Sequence, residues 1–446
     1  MKYFLTLIQL WVGFLSICAS YPKANIWIIP SVESPQVYRN YAQTSKVHLE
    51  MARGEVEHIQ LVFPSKVNEE YRFTFDRYLK GIQISARELK KMNGYYDALV
   101  PFKNQLKCTD TLTAVWITVQ CPSRVPVGKY HQTIKIEGSK HFTIQLDYNV
   151  HHTTIPLKSS IPITVGVENR CMTEGLNDKE ADKERQRWVD FVLSYRMTPV
   201  FGTQITPERW QYEHSFSPWA WNDKRSIRLL NDRRYSCYML PFFTLSENEL
   251  ASLLCNIQKK GKLKESLFYI WDEPAYMEDY EQIKRKVNII RKYASDARIL
   301  TTFFCGPRNG PRKGDLYAVF DYLKHHIHVA TISLAPCKGN EEEVQHIRYK
   351  VPEGIDWWSY VCWQPGGNEP NFLLQMKGIQ QRAVMWRTWK NGSQGFLYWN
   401  CNIYHKRNPF TYITDMPHGD GILIYPGDIL GCKGPVSYTH LTLPTN

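Results

Sequence analysis

Three patterns that would point to common classes of ligand are missing from this sequence. No Gly-x-Gly-x-x-Gly motif follows a predicted strand, which argues against a dinucleotide-binding fold. No Cys-x-x-Cys pair or Cys/His cluster has the spacing of a zinc site. No dense basic run accompanies the formal net charge of +12, so we interpret the lysines and arginines as mostly solvated. We therefore expect no nucleic acid partner, whereas an acidic glycan or a polysaccharide at a membrane surface stays open as a partner.

The sequence also has little that could cross a membrane. The apolar run at the N-terminus covers residues 4–17, follows Lys2 and ends in the small residues Cys18, Ala19 and Ser20. A basic residue, a short apolar stretch and small residues are typical of a secretory signal peptide. We therefore predict a signal peptide over 1–20, a secreted or lysosomal protein, and no stable membrane insertion. A retained signal anchor is the alternative.

The cysteines and one glycosylation sequon fit a protein of the secretory pathway. The chain has 11 cysteines, which are widely spaced, and Cys18 alone lies in the predicted signal peptide. Disulfides and free core thiols are both compatible with this spacing. The sequon Asn391-Gly392-Ser393 falls in a predicted turn, so Asn391 is the candidate for N-glycosylation.

Two regions of the mature chain differ in their hydrophobic pattern. Residues 21–155 contain short alternating segments, such as 47–51, 58–63 and 114–119, separated by glycine and proline. This pattern predicts an all-β domain, which we interpret as a β-sandwich. Residues 156–436 instead alternate apolar strands with amphipathic helices, which predicts an α/β domain.

The second region contains eight predicted strands. They cover residues 163–167, 199–201, 238–243, 267–271, 299–304, 328–334, 356–362 and 395–400. Helices are predicted over 179–193, 247–260, 279–293, 315–324, 341–349 and 373–390, whereas 215–233 has no clean helical pattern. Eight strands in this alternation predict a (β/α)8 TIM barrel, with an open doubly wound sheet as the alternative.

Two adjacent acids follow the fourth predicted strand. Residues 268–274 read Phe-Tyr-Ile-Trp-Asp-Glu-Pro, so Asp272 and Glu273 lie between an apolar strand and a proline. The carboxyl ends of barrel strands carry the catalytic groups of TIM-barrel enzymes. We therefore predict general acid/base chemistry on a sugar at these residues. The alternative is an ordinary helix start.

Aromatic and amide side chains are predicted at the ends of the last two strands. Trp358 and Tyr360 belong to the seventh strand, and Trp399 and Asn402 lie at the end of the eighth. Aromatic rings pack against the apolar face of a sugar, and amides bind its hydroxyl groups. We predict that these four residues bind substrate. For the tryptophans, packing inside the barrel is the alternative.

A series of motifs spans most of the mature chain. They are Ala52-Arg53-Gly54-Glu55-Val56-Glu57-His58-Ile59-Gln60, Trp357-Trp358-Ser359-Tyr360-Val361-Cys362, Pro365, Pro370-Asn371-Phe372, Arg382, Trp386, Trp389-Lys390, Gly395-Phe396-Leu397-Tyr398-Trp399, Gly419-Asp420-Gly421 and Tyr425-Pro426-Gly427. The first resembles the β-sandwich signature of glycoside hydrolase family 123, and the others resemble the catalytic domain of that family. Their order and spacing together make the resemblance specific.

The resemblance implies a substrate and a mechanism. Members of the family release terminal β-linked N-acetylgalactosamine with retention, and the substrate's own 2-acetamido oxygen serves as the nucleophile. Carried onto this chain, Glu273 is the expected general acid and base, and Asp272 is expected to orient the acetamido group. No metal or other cofactor is expected. The alternatives are a carbohydrate-binding protein on the same scaffold and a glycosidase for another N-acetylhexosamine.

The C-terminal residues do not resemble the family. Residues 437–446 read Ser-Tyr-Thr-His-Leu-Thr-Leu-Pro-Thr-Asn, where the barrel of the family would continue into a last helix. We therefore predict that 437–446 is a non-native tail and that the barrel domain, 156–436, is truncated at its C-terminus.

Overall fold

The computed structural model describes residues 25–76, 81–206, 211–304, 315–335, 348–349, 351–404, 408–409 and 416–437. The predicted signal peptide, nearly all of the predicted helix 341–349 and residues 438–446 of the predicted tail lie outside the described residues. Within the described ranges, no helix is long and apolar enough to cross a membrane.

The N-terminal region forms two five-stranded sheets. Its strands are β1 (Trp27–Pro30), β2 (Lys46–Arg53), β3 (Val56–Pro64), β4 (Glu70–Phe75), β5 (Gln83–Met92), β6 (Tyr95–Pro101), β7 (Gln105–Lys107), β8 (Leu112–Gln120), β9 (Gly128–Glu137) and β10 (His141–Thr154). The strand orders are β1-β3-β8-β5-β6 and β2-β10-β9-β4-β7. This arrangement agrees with the predicted β-sandwich.

Burial alternates along the sandwich strands. In β10, Phe142, Ile144, Leu146, Tyr148 and Val150 are buried, and the residues between them are exposed or partly exposed. Successive side chains of a strand point to opposite faces, so one face of β10 packs against the other sheet. This period of two is the reason that the strands could be predicted from the sequence.

The second region forms a nine-stranded sheet that curls into a nearly closed barrel. Its strands are β11 (Ile163–Glu168), β12 (Thr198–Thr206), β13 (Gln211–Ser215), β14 (Tyr238–Met239), β15 (Ser266–Trp271), β16 (Arg298–Phe303), β17 (Val329–Ser333), β18 (Asp356–Val361) and β19 (Gly395–Tyr398). The described helices are α1 (Asn169–Thr173), α2 (Asp178–Ser194), α3 (Lys224–Leu229), α4 (Glu247–Lys259), α5 (Met277–Arg291), α6 (Leu316–Leu323) and α7 (Gly378–Lys390). A hairpin of β20 (Ile424–Pro426) and β21 (Pro435–Ser437) follows. All the predicted barrel strands are present.

The sheet differs from the predicted (β/α)8 barrel between its second and third predicted strands. The order β13-β12-β11-β19-β18-β17-β16-β15-β14 includes an additional antiparallel strand, β13. Only the six-residue α3 is helical in the described part of this connection. The N–H of Phe216 donates to the carbonyl of Met239 at 2.7 Å, which bridges the two ends of the sheet. The exact eightfold repeat is absent here because 215–222 contains a proline and lacks a helical period.

Two apolar layers stabilise the barrel. The interior contains Leu267, Leu300, Val329 and Leu397 from four strands. The outer layer packs the strands against helix residues such as Ile283 of α5. Each fully buried side chain of this kind contributes roughly 1.5–3 kcal/mol. The parallel strands are therefore apolar on both faces, which is why they appear in the sequence as continuous apolar runs.

The sandwich and the barrel share one core. Met92, Ala98 and Val100 of the sandwich pack in the same hydrophobic cluster as the outer layer of the barrel. The hydroxyl of Tyr425 donates to the buried carboxylate of Asp97 across this interface. Arg196 donates to the carbonyl of Gly54 at 2.6 Å. The two domains therefore meet in an apolar interface that also contains polar contacts, one of them buried.

The described cysteines are free thiols. They are Cys108, Cys121, Cys171, Cys237, Cys255, Cys362, Cys401 and Cys432, and most of them are buried. Buried thiols pack as small apolar side chains. For these residues the structure therefore favours core thiols over disulfides.

Gly166 lets the chain after β19 cross close to the first barrel strand. A Cβ atom on Gly166 would lie 1.9 Å from the backbone oxygen of Trp399. The N–H of Cys401 donates to the carbonyl of Gly166 at 2.9 Å in the same crossing. Only glycine permits this approach, which brings the residues after β19 to the end of β11.

We expect Gly166→Ala to lower the free energy of unfolding by about 3 kcal/mol or more, because two backbone segments would have to separate. Urea unfolding of the purified variant measures this loss. Gly366→Ala is the matched control, since a Cβ atom there meets nothing within 4 Å. A Gly166→Ala protein as stable as the control would contradict this role of Gly166.

Candidate active site

A β-bulge lies at the end of the fourth predicted strand. The pairing of β15 with β16 shifts between Tyr269 and Trp271, so β15 has one extra residue there. A bulge changes the direction of the side chains beside it and is common next to active sites. Asp272 and Glu273 follow this bulge directly. Both acids therefore lie at the carboxyl end of the barrel strands, as predicted from the sequence.

Two hydroxyl groups bind the carboxylate of Asp272. The hydroxyl of Tyr269 donates to Oδ1 of Asp272 at 2.7 Å, and Oγ1 of Thr302 donates to the same oxygen at 2.8 Å. Burial raises the pKa of Tyr269 well above its usual value, so this hydroxyl stays protonated and remains a donor. Thr302 belongs to β16. Asp272 is thus oriented by its own strand and by the next one.

Glu273 has a backbone conformation that is rare for residues other than glycine. Its φ is +42°, and such left-handed values cost roughly 1–3 kcal/mol. The N–H of Glu273 donates to Oγ1 of Thr302 at 2.9 Å, and the hydroxyl of Tyr360 donates to its Oε1. Burial raises the pKa of Tyr360 well above its usual value, which keeps this donor protonated. Residues of β16 and β18 therefore hold the backbone and the carboxyl group of Glu273, respectively.

His214 covers the ring of Tyr269. The two rings are parallel within 12°, and their centroids are 4.2 Å apart. His214 comes from β13, the strand that the sequence did not predict. Burial lowers the pKa of His214 to about 3. The imidazole is therefore neutral near pH 7 and adds no charge beside Asp272.

A third carboxyl group, that of Asp420, lies beside Trp399. Nε1 of Trp399 donates to Oδ1 of Asp420 at 2.9 Å, and the hydroxyl of Tyr398 lies 3.5 Å from the same oxygen. Asp420 is only 4% exposed, and its Oδ2 has no hydrogen-bond partner in the described part of the chain. Burial raises the pKa of Asp420 to about 6. Trp399 itself is half-buried and packs against the cluster that contains Tyr269 and Tyr360.

Trp358 lies deeper in the barrel than we predicted. It is 2% exposed, and a Cβ atom on Gly395 would come within 2.1 Å of its ring. Tyr360 is two residues further along β18, on the same side of the strand and closer to the acids. Trp358 therefore fills the barrel interior, the alternative that the sequence left open, and does not reach a sugar from this position.

Asn402 is also buried, with 0% exposure. Its Oδ1 accepts the N–H of Glu168 at 2.8 Å, and its Nδ2 donates to the carbonyl of Glu168 at 3.1 Å. These two bonds tie the chain after β19 to the end of β11. The amide of Asn402 therefore holds two backbone segments together, and in this position it does not make the predicted contact with a sugar hydroxyl.

The sequon residue Asn391 follows α7 with its side chain buried. Both amide atoms of Asn391 are buried and have no partner among the residues that the structure describes. A glycan on Nδ2 requires that this side chain turns outward. Glycosylation of Asn391 therefore stays a prediction, and the observed conformation does not favour it.

Four residues of this site were not identified from the sequence, namely Tyr269, Thr302, His214 and Asp420. Thr302 had a weak signal, because it is a polar residue near the carboxyl end of an apolar barrel strand. Asp420 belongs to the Gly419-Asp420-Gly421 motif, but no pattern indicated that it lies beside Trp399. His214 had no signal, because it belongs to the hairpin that replaces a helix.

A separate apolar cavity of about 290 Å³ lies at the other end of the barrel. It is lined by Ser159, Ser160, Ile161, Ile163, Met385, Trp386 and Trp389. Ile163 begins β11, so the cavity is near the amino ends of the strands. Because none of its lining side chains is titratable, it does not compete with the two acids as a catalytic site. The described residues also contain no group of three or more His, Cys, Asp or Glu suited to a metal ion.

The sequence matches the model of one protein family. Residues 183–440, more than half of the chain, match the family described as glycoside hydrolase 123, catalytic domain. No curated protein matches the chain.

The fold is similar to that of a solved family 123 glycoside hydrolase from Clostridium perfringens. The two chains are 14% identical with a TM-score of 0.66, and the match covers 93% of this chain and 85% of that chain. A family 2 member from Bacteroides cellulosilyticus DSM 14838 has a TM-score of 0.32 at 11% identity, with 78% and 44% covered. A family 5 xyloglucanase from Bacteroides ovatus has a TM-score of 0.28 at 10% identity, with 84% and 95% covered. At these scores only the first similarity bears on the fold.

We expect Asp420→Asn to change how stability depends on pH. Because the pKa of Asp420 is raised to about 6 in the folded protein, its contribution to stability is fully present below about pH 4 and is lost as the pH rises through 6. The neutral amide should remove this loss. The unfolding free energy of the variant minus that of the wild type should therefore rise by about 2–3 kcal/mol from pH 4 to pH 7.

Urea unfolding at both pH values measures the difference. Asp296→Asn is the matched control, because Asp296 is exposed on a turn. If Asp420→Asn and the control show the same change between pH 4 and pH 7, Asp420 does not titrate as its burial indicates.

Proposed function

This chain belongs to glycoside hydrolase family 123, and on that premise we propose that it hydrolyses terminal β-linked N-acetylgalactosamine with retention. The pair of adjacent acids at one strand end carries the proposal. Most retaining glycosidases use two carboxyl groups on opposite sides of the scissile bond, about 5–5.5 Å apart. A substrate that supplies its own acetamido nucleophile needs only one acid/base and one orienting group. Adjacent acids with different partners fit this second chemistry.

Glu273 is the proposed general acid and base. Its carboxyl group would give a proton to the glycosidic oxygen while the acetamido oxygen attacks C1, so the aglycone leaves as an alcohol and a bicyclic oxazolinium forms. The resulting carboxylate would then take a proton from the water that attacks C1 and opens this ring. Tyr360 supports the role because its hydroxyl donates to Oε1 and so fixes the orientation of the carboxyl group.

Asp272 is the proposed orienting group. The hydroxyls of Tyr269 and Thr302 both donate to its Oδ1. Oδ2 is then the atom for the acetamido N–H of the substrate. A carboxylate in this position would stabilise the positive charge that develops on the acetamido group in the transition state. The fixed orientation of Asp272 would also turn the acetamido oxygen toward C1. This would lower the entropic cost of the attack on C1.

The proposed sugar pocket has two aromatic sides. Trp399 is half-buried with its Nε1 bound to Asp420, so its ring has a fixed orientation and a face for the sugar. On the other side, His214 and Tyr269 form a stacked pair next to Asp272. We propose that Trp399 contacts the pyranose ring and that the stacked pair lies beside the acetamido group.

The natural substrate is proposed from one structural relative. The Clostridium perfringens structure is described in terms of glycolipid glycan hydrolysis. A glycolipid with a terminal β-linked N-acetylgalactosamine is therefore the first natural substrate to test. We also propose that the protein meets this substrate outside the cytosol, on the basis of the predicted signal peptide over 1–20.

We expect Glu273→Gln to lower kcat by about 10²–10⁴-fold for an aryl β-N-acetylgalactosaminide with a poor leaving group, because the amide cannot donate the proton. The loss should be much smaller for the first step with a 2,4-dinitrophenyl leaving group, which departs without protonation. Stopped-flow absorbance measures the release of the phenol. Binding of N-acetylgalactosamine, measured by calorimetry, should persist. Equal losses for both leaving groups would contradict the acid role of Glu273.

We expect hydrolysis to require the 2-acetamido group of the substrate. The 4-nitrophenyl β-galactoside should be turned over about 10³-fold more slowly than the β-N-acetylgalactosaminide, since it has no internal nucleophile. A trifluoroacetamido analogue should react slowly but bind normally, because its carbonyl oxygen is a weaker nucleophile. Similar kcat values for all three substrates would contradict the mechanism. Faster turnover of the N-acetylglucosaminide would favour another N-acetylhexosamine, and binding without turnover of any substrate would favour a carbohydrate-binding protein.

A further inference from the structure

One hydroxyl group contacts both acids of the candidate site. Oγ1 of Thr302 donates to Oδ1 of Asp272 at 2.8 Å and accepts the N–H of Glu273 at 2.9 Å. A threonine hydroxyl has one hydrogen and two lone pairs. Its hydrogen is therefore used for Asp272, and a lone pair is used for Glu273. The same atom cannot move toward one acid without changing its contact with the other.

We propose that Thr302 is a positioning residue that keeps the carboxylate of Asp272 and the acid/base Glu273 in one fixed relation during hydrolysis. The proposal rests on the proposed function, because it assigns Thr302 to the reaction of that same site. Thr302 does not touch the substrate in this proposal. It acts through the two acids.

The backbone of Glu273 shows why such a residue is needed. Glu273 has a φ of +42°, and strained conformations persist only where the surrounding structure holds them. The bond from its N–H to Oγ1 of Thr302 ties the backbone of Glu273 to a side chain of β16. Loss of this bond removes one restraint on the strained φ of Glu273, so we expect the peptide before Glu273 to rotate and the carboxyl group to move with it.

The neighbouring threonine provides the contrast. Thr301 is equally buried, but its side chain points to the other side of β16, and its hydroxyl has no partner within the described ranges. Threonine is common in strands because a β-branched side chain suits them. That general preference accounts for Thr301 but not for the two specific bonds of Thr302.

The test compares Thr302→Val, Thr302→Ser and Thr301→Val. Valine keeps the shape of threonine and removes the hydroxyl, so we expect Thr302→Val to lower kcat by about 10–100-fold, because a displacement near 1 Å in the site is enough for that loss. KM should change by less than about threefold, because Thr302 does not bind the ground state. Serine restores the hydroxyl, so Thr302→Ser should keep kcat within about threefold of the wild type. Thr301→Val should behave as the wild type.

A second readout does not need turnover. Crystal structures of the wild type and Thr302→Val show whether φ of Glu273 leaves the left-handed region and whether Asp272 rotates. Movement of both acids supports the proposal. Acids in unchanged positions overturn it, and so does a kcat of Thr302→Val equal to that of the wild type.

The two readouts separate this proposal from the proposed function. A wild-type protein that hydrolyses no β-N-acetylhexosaminide overturns the function, and the two crystal structures still decide whether Thr302 positions the acids. A wild-type protein that is active together with an unaffected Thr302→Val overturns the role of Thr302 and leaves the function intact. An equal loss of kcat in all three variants would also overturn the role of Thr302, since Thr301 binds neither Asp272 nor Glu273.

Discussion

The end of β15 is the constraint on which the candidate site depends. A bulge between Tyr269 and Trp271 adds one residue, and Glu273 then takes a φ of +42°. A chain with these features would relax if it were free. Bonds from β16 and β18 prevent this, because Thr302 binds both acids and Tyr360 binds Glu273. The strain and the bonds together place two carboxyl groups side by side in different surroundings.

The rest of the fold supplies rigid supports for that strand end. The apolar interior keeps β15, β16 and β18 in register. On the far side of the barrel, Gly166 lets the chain after β19 come close to β11, and Asn402 binds the backbone of Glu168 there. Trp399 is thereby held near the same barrel end. The sandwich shares its core with the outer layer, so the catalytic region does not stand as a separate unit.

The sequence predicted what depends on local pattern. Strand alternation predicted the sandwich, and the apolar strands between amphipathic helices predicted the barrel and the position of Asp272 and Glu273. The hairpin that contains His214 was missed. It forms by pairing of β13 with β12, and the sequence between the second and third predicted strands showed neither a clear helical pattern nor a strand pattern. Trp358 and Asn402 were assigned to the pocket from their strand positions and the chemistry of their side chains. Depth within the barrel and bonds between distant residues, as between Asn402 and Glu168, have no local pattern.

The most direct test of the central claim is the anomeric configuration of the sugar that is released first. Proton NMR can follow the hydrolysis of an aryl β-N-acetylgalactosaminide by the purified protein within the first minutes, before mutarotation. Attack by the acetamido group and then by water inverts C1 twice. The adjacent acids therefore predict that β-N-acetylgalactosamine appears first and that the α anomer follows slowly. Initial release of the α anomer would contradict this mechanism, because it requires direct attack by water on the opposite face.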